Sequence, residues 1–342
     1  MVDLALAYAN ARVKAMKSRL LDEEKIRALL AVDTLNGVVG LLEESTYKDA
    51  FIAESTRHKG IELVVKALER DLNATLRKIR KISPRKMWKL LDIFLKQWDV
   101  NNLKIIISSK ALGRPVAQSD LLLADAGPAK ARFFQRLLAC GSAEEVARAL
   151  SKTAYGPAVN KALAEYGKSR DYRVFLAALD YQWYNSIVNS GAGADAGVRE
   201  FVGRKIDALN ALTILRLKQA GASPEKIGQF IVVGGSKRLA SELLKCEGMQ
   251  KAVEAACAKL GIGKAVADRF RTRGSLAELE LEIERKMVER ARKTMARSVM
   301  SPAAIIGYLH LKDYEVQSLR KIAFATLFDM KDDVRGTIVA AG

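Results

Sequence analysis

The chain has 342 residues, 49% of them hydrophobic and only 6% aromatic, with 57 Lys and Arg against 39 Asp and Glu for a net charge of +18. That length exceeds what one hydrophobic core serves, and the Ala, Leu, Lys, Arg and Glu bias with only 6 prolines favours helix over sheet. No stretch approaches the roughly 18 consecutive apolar residues of a membrane-spanning helix, and Cys140, Cys246 and Cys257 form no close pair, which argues for buried thiols in a reducing compartment and against a disulfide framework.

From the N-terminus, Asp3 and Arg12 do not suit a secretory signal, so none is expected. Over residues 2–30, Leu4, Tyr8, Ala11, Ala15, Leu20 and Leu21 share one side at helical spacing and Arg12, Lys14, Lys17 and Arg19 the other, which predicts an amphipathic helix breached near Asp22. Helices are predicted over 22–43, 59–82 and 85–111, the last starting after Ser83-Pro84 and stopping at Gly113-Arg-Pro115. A second series follows Asp125-Ala-Gly-Pro128, over 129–138, 142–152, 156–166, 169–188 and 197–220, and stops at Gly221-Ala-Ser-Pro224. A third covers 224–231, 236–246, 248–260, 275–298, 301–309 and 311–330.

Three acidic-led segments recur at one interval: Asp99 to Lys104, Asp207 to Leu212 and Glu315 to Arg320, with the leading carboxylates 108 residues apart each time. Asn102, Asn210 and Ser318 follow their acids at the same offset. Lys110 and Gly113 recur as Lys218 and Gly221, and Tyr47 recurs as Tyr155, although position 263 is glycine. A period this long exceeds the 20–50 residues of a solenoid unit and is large enough for a small domain. The spacing therefore predicts an all-α chain built as three helical domains, 1–116, 117–224 and 225–342. In each mark the acid and the amide or hydroxyl lie at i, i+3 on one helix face, a helix-start or inter-helix hydrogen-bonding device, while Leu103 and Ile106 point inward and Phe94-Leu95 and Tyr308-Leu309 precede as apolar anchors. Gly113 and Gly221 are read as helix stops, where a left-handed backbone is cheap only for glycine.

Catalytic patterns are missing. His58 and His310 lack metal-like or triad-like neighbours, and the glycine clusters 191–197, 232–237 and 261–264 lack phosphate-loop spacing. Glu278, Glu280, Glu282 and Glu284 spread around a helix rather than converge. No catalytic, cofactor or metal-binding residue is expected. The charge suits a polyanionic or acidic partner, an anionic lipid surface being one such. Two basic runs, Arg77 to Lys89 around Trp88 and Arg285 to Arg297, leave an alternative reading as a basic helical scaffold that binds nucleic acid, although one tryptophan is little aromatic interleaving.

The opening Tyr8 to Leu21, the Ser45-Thr-Tyr47 mark, the segments at Asp99 and Asp207, and Tyr308 to Arg320 resemble the C subunit of archaeal-type and vacuolar-type rotary ATPases, called d in the eukaryotic vacuolar enzymes. The resemblance covers essentially the whole chain. It implies a funnel of three similar helical domains around a pseudo-threefold axis with a central cavity. It further implies a non-catalytic component peripheral to the cytoplasmic face of the cell membrane, with the membrane rotor ring and the central stalk subunits D and F as partners, no cofactor, and no nucleic acid.

Overall fold

Short polar residues set where the helices begin, in a computed structural model that describes residues 3–117, 121, 131–190, 194–334 and 336–342. Asp3 caps α1 (Leu4–Lys17) by accepting the Leu6 amide, Asp22 caps α2 (Glu23–Ala31) through Lys25, and Thr34 caps α3 (Leu35–Glu43) through Gly37. Then come α4 (Lys48–Ser55), α5 (Gly60–Ile82) and, after a tight turn at Arg85–Met87, α6 (Trp88–Ala111). The next series is α7 (Ala131–Leu138), α8 (Ala143–Leu150), α9 (Gly156–Ser169), α10 (Arg173–Asn189) and α11 (Ala196–Gln219), with Ser142 and Asp195 capping α8 and α11. The last is α12 (Pro224–Gly228), α13 (Lys237–Lys245), α14 (Met249–Leu260), α15 (Lys264–Arg273), α16 (Ala277–Arg297), α17 (Ala303–Leu327) and α18 (Lys331–Val334). Ser223 and Ser236 cap α12 and α13; a cap of this kind contributes about 1 kcal/mol. Among the described residues every regular element is helical, and no helix is long and apolar enough to cross a membrane.

Helix boundaries repeat at the interval of the acidic marks. α3, α4 and α6 begin at residues 35, 48 and 88, and α8, α9 and α11 at 143, 156 and 196, each 108 on. α15 begins at 264, again 108 after α9, while α6, α11 and α17 end at 111, 219 and 327. The residues just before α4, α9 and α15 are Tyr47, Tyr155 and Gly263, so the missing third tyrosine falls at the same N-terminal junction as the other two.

The helix stops repeat as well. Gly113 and Gly221 take φ of +63° and +75°, and the amides that follow, on Arg114 and Ala222, donate back to the carbonyls of Ser109 and Leu217 at 2.9 and 3.0 Å. In the third series the same turn is made by Asp329 at φ +55°, with Met330 N–H donating to the Ala325 carbonyl at 2.8 Å. Glycine carries no Cβ penalty in this left-handed conformation and aspartate does.

Two compact units emerge from the packing. One holds the described residues through Leu95 together with Val288–Gly342, and the other holds Lys96–Leu121 and the described residues from 131 through Met287. In the first, α5 turns Leu68, Leu72, Leu76 and Ile79 inward at intervals of three and four, and α17, buried on most of its circumference, packs on α1, α3 and α5. In the second, Ala211, Ile214 and Leu215 of α11 join Leu239 and Leu243 of α13, Val253 and Ala256 of α14, Val266 and Phe270 of α15, and Leu279 and Ile283 of α16. The mark-bearing helix α11 thus packs with the short helices of the following series, and α17 with those of the first.

Some local expectations change. On α1 the buried side is Leu6, Ala9, Asn10, Val13 and Met16, whereas Leu4 and Tyr8 are 76% and 58% exposed. Asn10 decides the choice: its side-chain amide donates to the carbonyls of Val299 and Ser301 at 2.7 and 3.0 Å, so a polar residue marks the inward face. The helix expected over 22–43 is broken between Ala31 and Leu35, where Thr34 caps α3. The segments 301–309 and 311–330 are one helix, α17, and α4 and α15 have no counterpart among the helices predicted from sequence. The expected opening of the second series at 125–128 lies outside the described residues, as do 191–193 of one glycine cluster.

Because Asp329 occupies a left-handed position that glycine fills in the other two series, Asp329→Gly should raise stability by about 0.5–1 kcal/mol. Chemical denaturation at neutral pH measures this directly. An unchanged or lowered midpoint would show that the aspartate side chain compensates for its backbone.

Candidate functional site

Each mark sits in the middle of its long helix rather than at a helix start. Asp99 and Asn102 are 2% exposed, Asp207 and Asn210 6% and 3%, and Glu315 and Ser318 2% each. A carboxylate so buried costs several kcal/mol unless its oxygens are satisfied. The candidate site is the set of groups that satisfy them.

At Glu315 the satisfaction is dense. Oε1 accepts the Tyr47 hydroxyl at 2.6 Å and Oε2 accepts the Leu21 N–H at 2.5 Å. Lys312, one turn earlier on α17, donates to Tyr47 Oη at 2.8 Å and to Glu315 Oε1 at 3.2 Å, and its Nζ lies 2.8 Å from Asp71 Oδ2 of α5 and 4.3 Å from the centre of the Tyr47 ring. Tyr47 is fully buried, and the turn that delivers it is local: Ser45 Oγ donates to the Leu42 carbonyl at 2.6 Å and accepts the Tyr47 N–H at 3.2 Å. Thr153 repeats that turn before Tyr155, donating to the Leu150 carbonyl at 2.6 Å and accepting the Tyr155 N–H at 3.2 Å. Burial first, then the charges of Glu315 and Asp71, pushes the Tyr47 phenol well above its usual range. Tyr155 is pushed up in the same way by burial and by Asp99, the mark of the preceding series. Burial lowers the affinity of Lys312 for its proton, but Glu315 and Asp71 together outweigh it, and the ammonium is held above its ordinary value.

At Asp207 the same task falls to backbone. Oδ1 accepts the Ser236 N–H at 2.5 Å, and Asn210 clamps Val232 from both sides, donating to its carbonyl and accepting its N–H at 2.9 Å each. A Cβ on Gly235 would lie 2.6 Å from Asp207 Oδ1 and 2.9 Å from Ile206 Cγ2, so only glycine lets this stretch of backbone approach α11. The glycine cluster at 232–237 is accounted for by that approach. Lys110 and Lys218 also have parallel partners, the carbonyls of Leu138 and Cys246 at 2.8 and 2.7 Å, where α7 and α13 end. Those partners are 108 residues apart too.

Sequence reading missed Lys312 and Asp71, yet part of the signal was present. A basic residue precedes every mark acid by three: Lys96, Arg204 and Lys312. Arg204 lies 4.0 Å from Asp207, and Lys312 lies 3.2 Å from Glu315. Asp71 has no counterpart at the repeat interval, since positions 179 and 287 are Leu and Met, so periodicity could not reveal it.

The basic runs are partly consumed by the protein itself. Arg80 pairs with Asp92 at 2.9 Å, Lys86 pairs with Asp3, and Arg80 and Arg85 sit 5.0 and 5.8 Å from the centre of the Trp88 ring, whose N–H donates to the Ser83 carbonyl. In the second run Arg285 pairs with Glu282, Lys293 with Glu289, and Arg292 donates to the Ala340 carbonyl. The glutamates of α16 are likewise taken separately, Glu278 by Arg269 and Arg273 and Glu280 by Arg216. Among the described residues no group of His, Cys, Asp and Glu is placed to hold a metal ion.

These features define an all-helical, internally repeated scaffold whose buried polar groups join helices of one series to those of the next. A family model described as ATP synthase (C/AC39) subunit matches residues 9–336, and the chain belongs to that family. It is similar to the A-type ATP synthase C subunit of Methanocaldococcus jannaschii, 28% identical over 352 residues that span 99% of this chain and 88% of that protein. The corresponding A-type synthase protein of Desulfurococcus sp. is 30% identical over 93% of this chain and 85% of its own length, and that of Haloquadratum walsbyi 27% over 95% of each. The resemblance read from the two ends and the marks is borne out.

Two outcomes follow from the buried groups. Tyr47, Tyr308 and Lys312 all hold their protons more tightly folded than their ordinary values of 10.0, 10.0 and 10.5. Their contribution is complete below about pH 10 and is lost as pH rises beyond it. Thermal unfolding midpoints should therefore fall steeply above about pH 10, and Tyr47→Phe should flatten that fall while costing about 1–3 kcal/mol at neutral pH by leaving Glu315 short of a donor. Separately, Gly235→Ala should destabilise by about 1–3 kcal/mol through the clash with α11, read by urea unfolding.

Proposed function

We propose that this chain is a non-catalytic component of an A- or V-type rotary ATP synthase that links the membrane rotor ring to the central stalk. Ion flow across the membrane then drives ATP synthesis, or hydrolysis drives pumping. On this reading three helical modules, corresponding to 1–116, 117–224 and 225–342, surround a pseudo-threefold axis as a funnel on the cytoplasmic face of the membrane, with stalk subunits D and F entering its centre. Family membership supports a place in the ATP synthase.

The observation that carries the finer role is the interlock of each series with the next. Asp207 accepts the Ser236 N–H, Glu315 accepts the Tyr47 hydroxyl and the Leu21 N–H so that the third series meets the first, and the charge of Asp99 adds to burial in raising the Tyr155 phenol. Equivalent contacts that run from each repeat to the next and from the last back to the first are what a closed ring requires. Close-packed helices also deform little under load, as a torque-bearing part must.

Mixing the purified chain with D and F subunits should give a single complex on gel filtration at low micromolar concentration. Separate elution of all components would reject the coupling role. A low-resolution map of the free chain lacking three lobes about a hollow would reject the funnel.

A further inference from the structure

We propose that a recess beside the Glu315 junction binds a phosphoryl oxyanion, held by Arg19, Lys78, Tyr308 and Thr75. The recess has a volume of about 290 Å³ and reaches the buried Lys312 and Asp71. This proposal is independent of the coupling role.

The donors are what point to a ligand. Tyr308 is 3% exposed, its phenol lines the recess, and among the described residues it has no hydrogen-bond partner. A tyrosine so largely buried, with a hydroxyl that no protein group engages, leaves that hydroxyl available to a ligand in the recess. Arg19 and Lys78, on the same recess, carry no ion pair among the described residues, and the Thr75 hydroxyl is likewise unengaged. Thr46 has its own task, donating to the Arg19 carbonyl at 3.0 Å and so fixing the backbone that presents the guanidinium.

Charge favours an anion. Lys312 lies between Asp71 and Glu315, at 2.8 and 3.2 Å, so this triad carries one net negative charge. Arg19 and Lys78 form no ion pair among the described residues and bring two positive charges, so that the recess together with the triad carries a net charge of +1. Two unpaired cations with two hydroxyl donors suit the tetrahedrally disposed oxygens of a phosphate or phosphate ester, which guanidinium and ammonium groups bind by charge-assisted hydrogen bonds. Such a group could reach the recess as free phosphate or as the headgroup of a phospholipid.

The test uses the full chain, with inorganic phosphate titrated calorimetrically at constant ionic strength and, in a second arm, flotation with phosphatidylglycerol vesicles. Tyr308→Phe is the informative variant, because it removes one donor without altering charge; Arg19→Gln with Lys78→Gln removes both rim cations. Circular dichroism and thermal unfolding verify that each variant is folded. Saturable phosphate binding weakened tenfold or more by both changes supports the site with the free ion as ligand. Binding to vesicles alone, weakened tenfold or more by both, supports it with the headgroup as ligand. No binding in either arm, or binding that Tyr308→Phe leaves unchanged in a folded protein, overturns the proposal.

Discussion

A carboxylate in the middle of a buried helix cannot be left alone, and the arrangement of the first compact unit follows from where Glu315 finds its donors. They come from residues 21, 47 and 312, so two of the three lie more than 260 positions away along the chain. α17 cannot be buried in water-excluding surroundings until the N-terminal helices bring those groups to it. Desolvation without them would cost more than the apolar contacts of one helical turn return. The C-terminal residues close the same region: Gly342 N–H donates to the Leu21 carbonyl, Val339 N–H to Tyr314 Oη, and Arg292 to the Ala340 carbonyl. The ends of the chain therefore meet through polar bonds with defined geometry as well as through apolar packing.

Asp207 meets the same constraint by different means. Its donor is a backbone N–H on the approach to α13, and the chain is brought close by Gly235 and held by Asn210. A longer acid with a tyrosine partner at one junction and a shorter acid with a glycine at another are alternative solutions to one geometric problem. The tyrosine absent at position 263 is consistent with this, because backbone has taken over its role opposite Asp207. Drift between the copies has left the spacing intact and changed the donors.

What the amino-acid sequence revealed and what it hid divide along the same line. The period of 108 was legible because it requires only counting, and the stops at Gly113 and Gly221 were legible because a left-handed residue strongly favours one amino acid. The third stop was hidden because Asp329 takes that conformation without being glycine. α4 and α15 were hidden for a related reason: they are short, and Tyr47 and Gly263 stand where Ser, Thr or Asp would announce a helix. The inward face of α1 was misread because Asn10 lies on it, bonded to carbonyls nearly 290 residues away. Tyr47 and Leu21, the partners of Glu315 from another series, were hidden because no local pattern encodes a contact across that distance. The recess donors were invisible for the same reason, since Arg19, Thr75 and Tyr308 come from three separate helical regions.

Polar junctions of this kind specify rather than merely stabilise. Apolar helix faces can slide by a turn at modest cost, because one leucine replaces another against the same groove. A buried acid with two donors placed within about 3 Å admits a single register, since any slip leaves charge unpaired in a low-dielectric interior. At Glu315 that device fixes how α17 meets the N-terminal helices, with little dependence on the exact fill of the core. Resistance to slip between helices is what such groups supply, and it explains why those that stand out at the repeat interval are buried acids, amides and tyrosines rather than exposed reactive side chains.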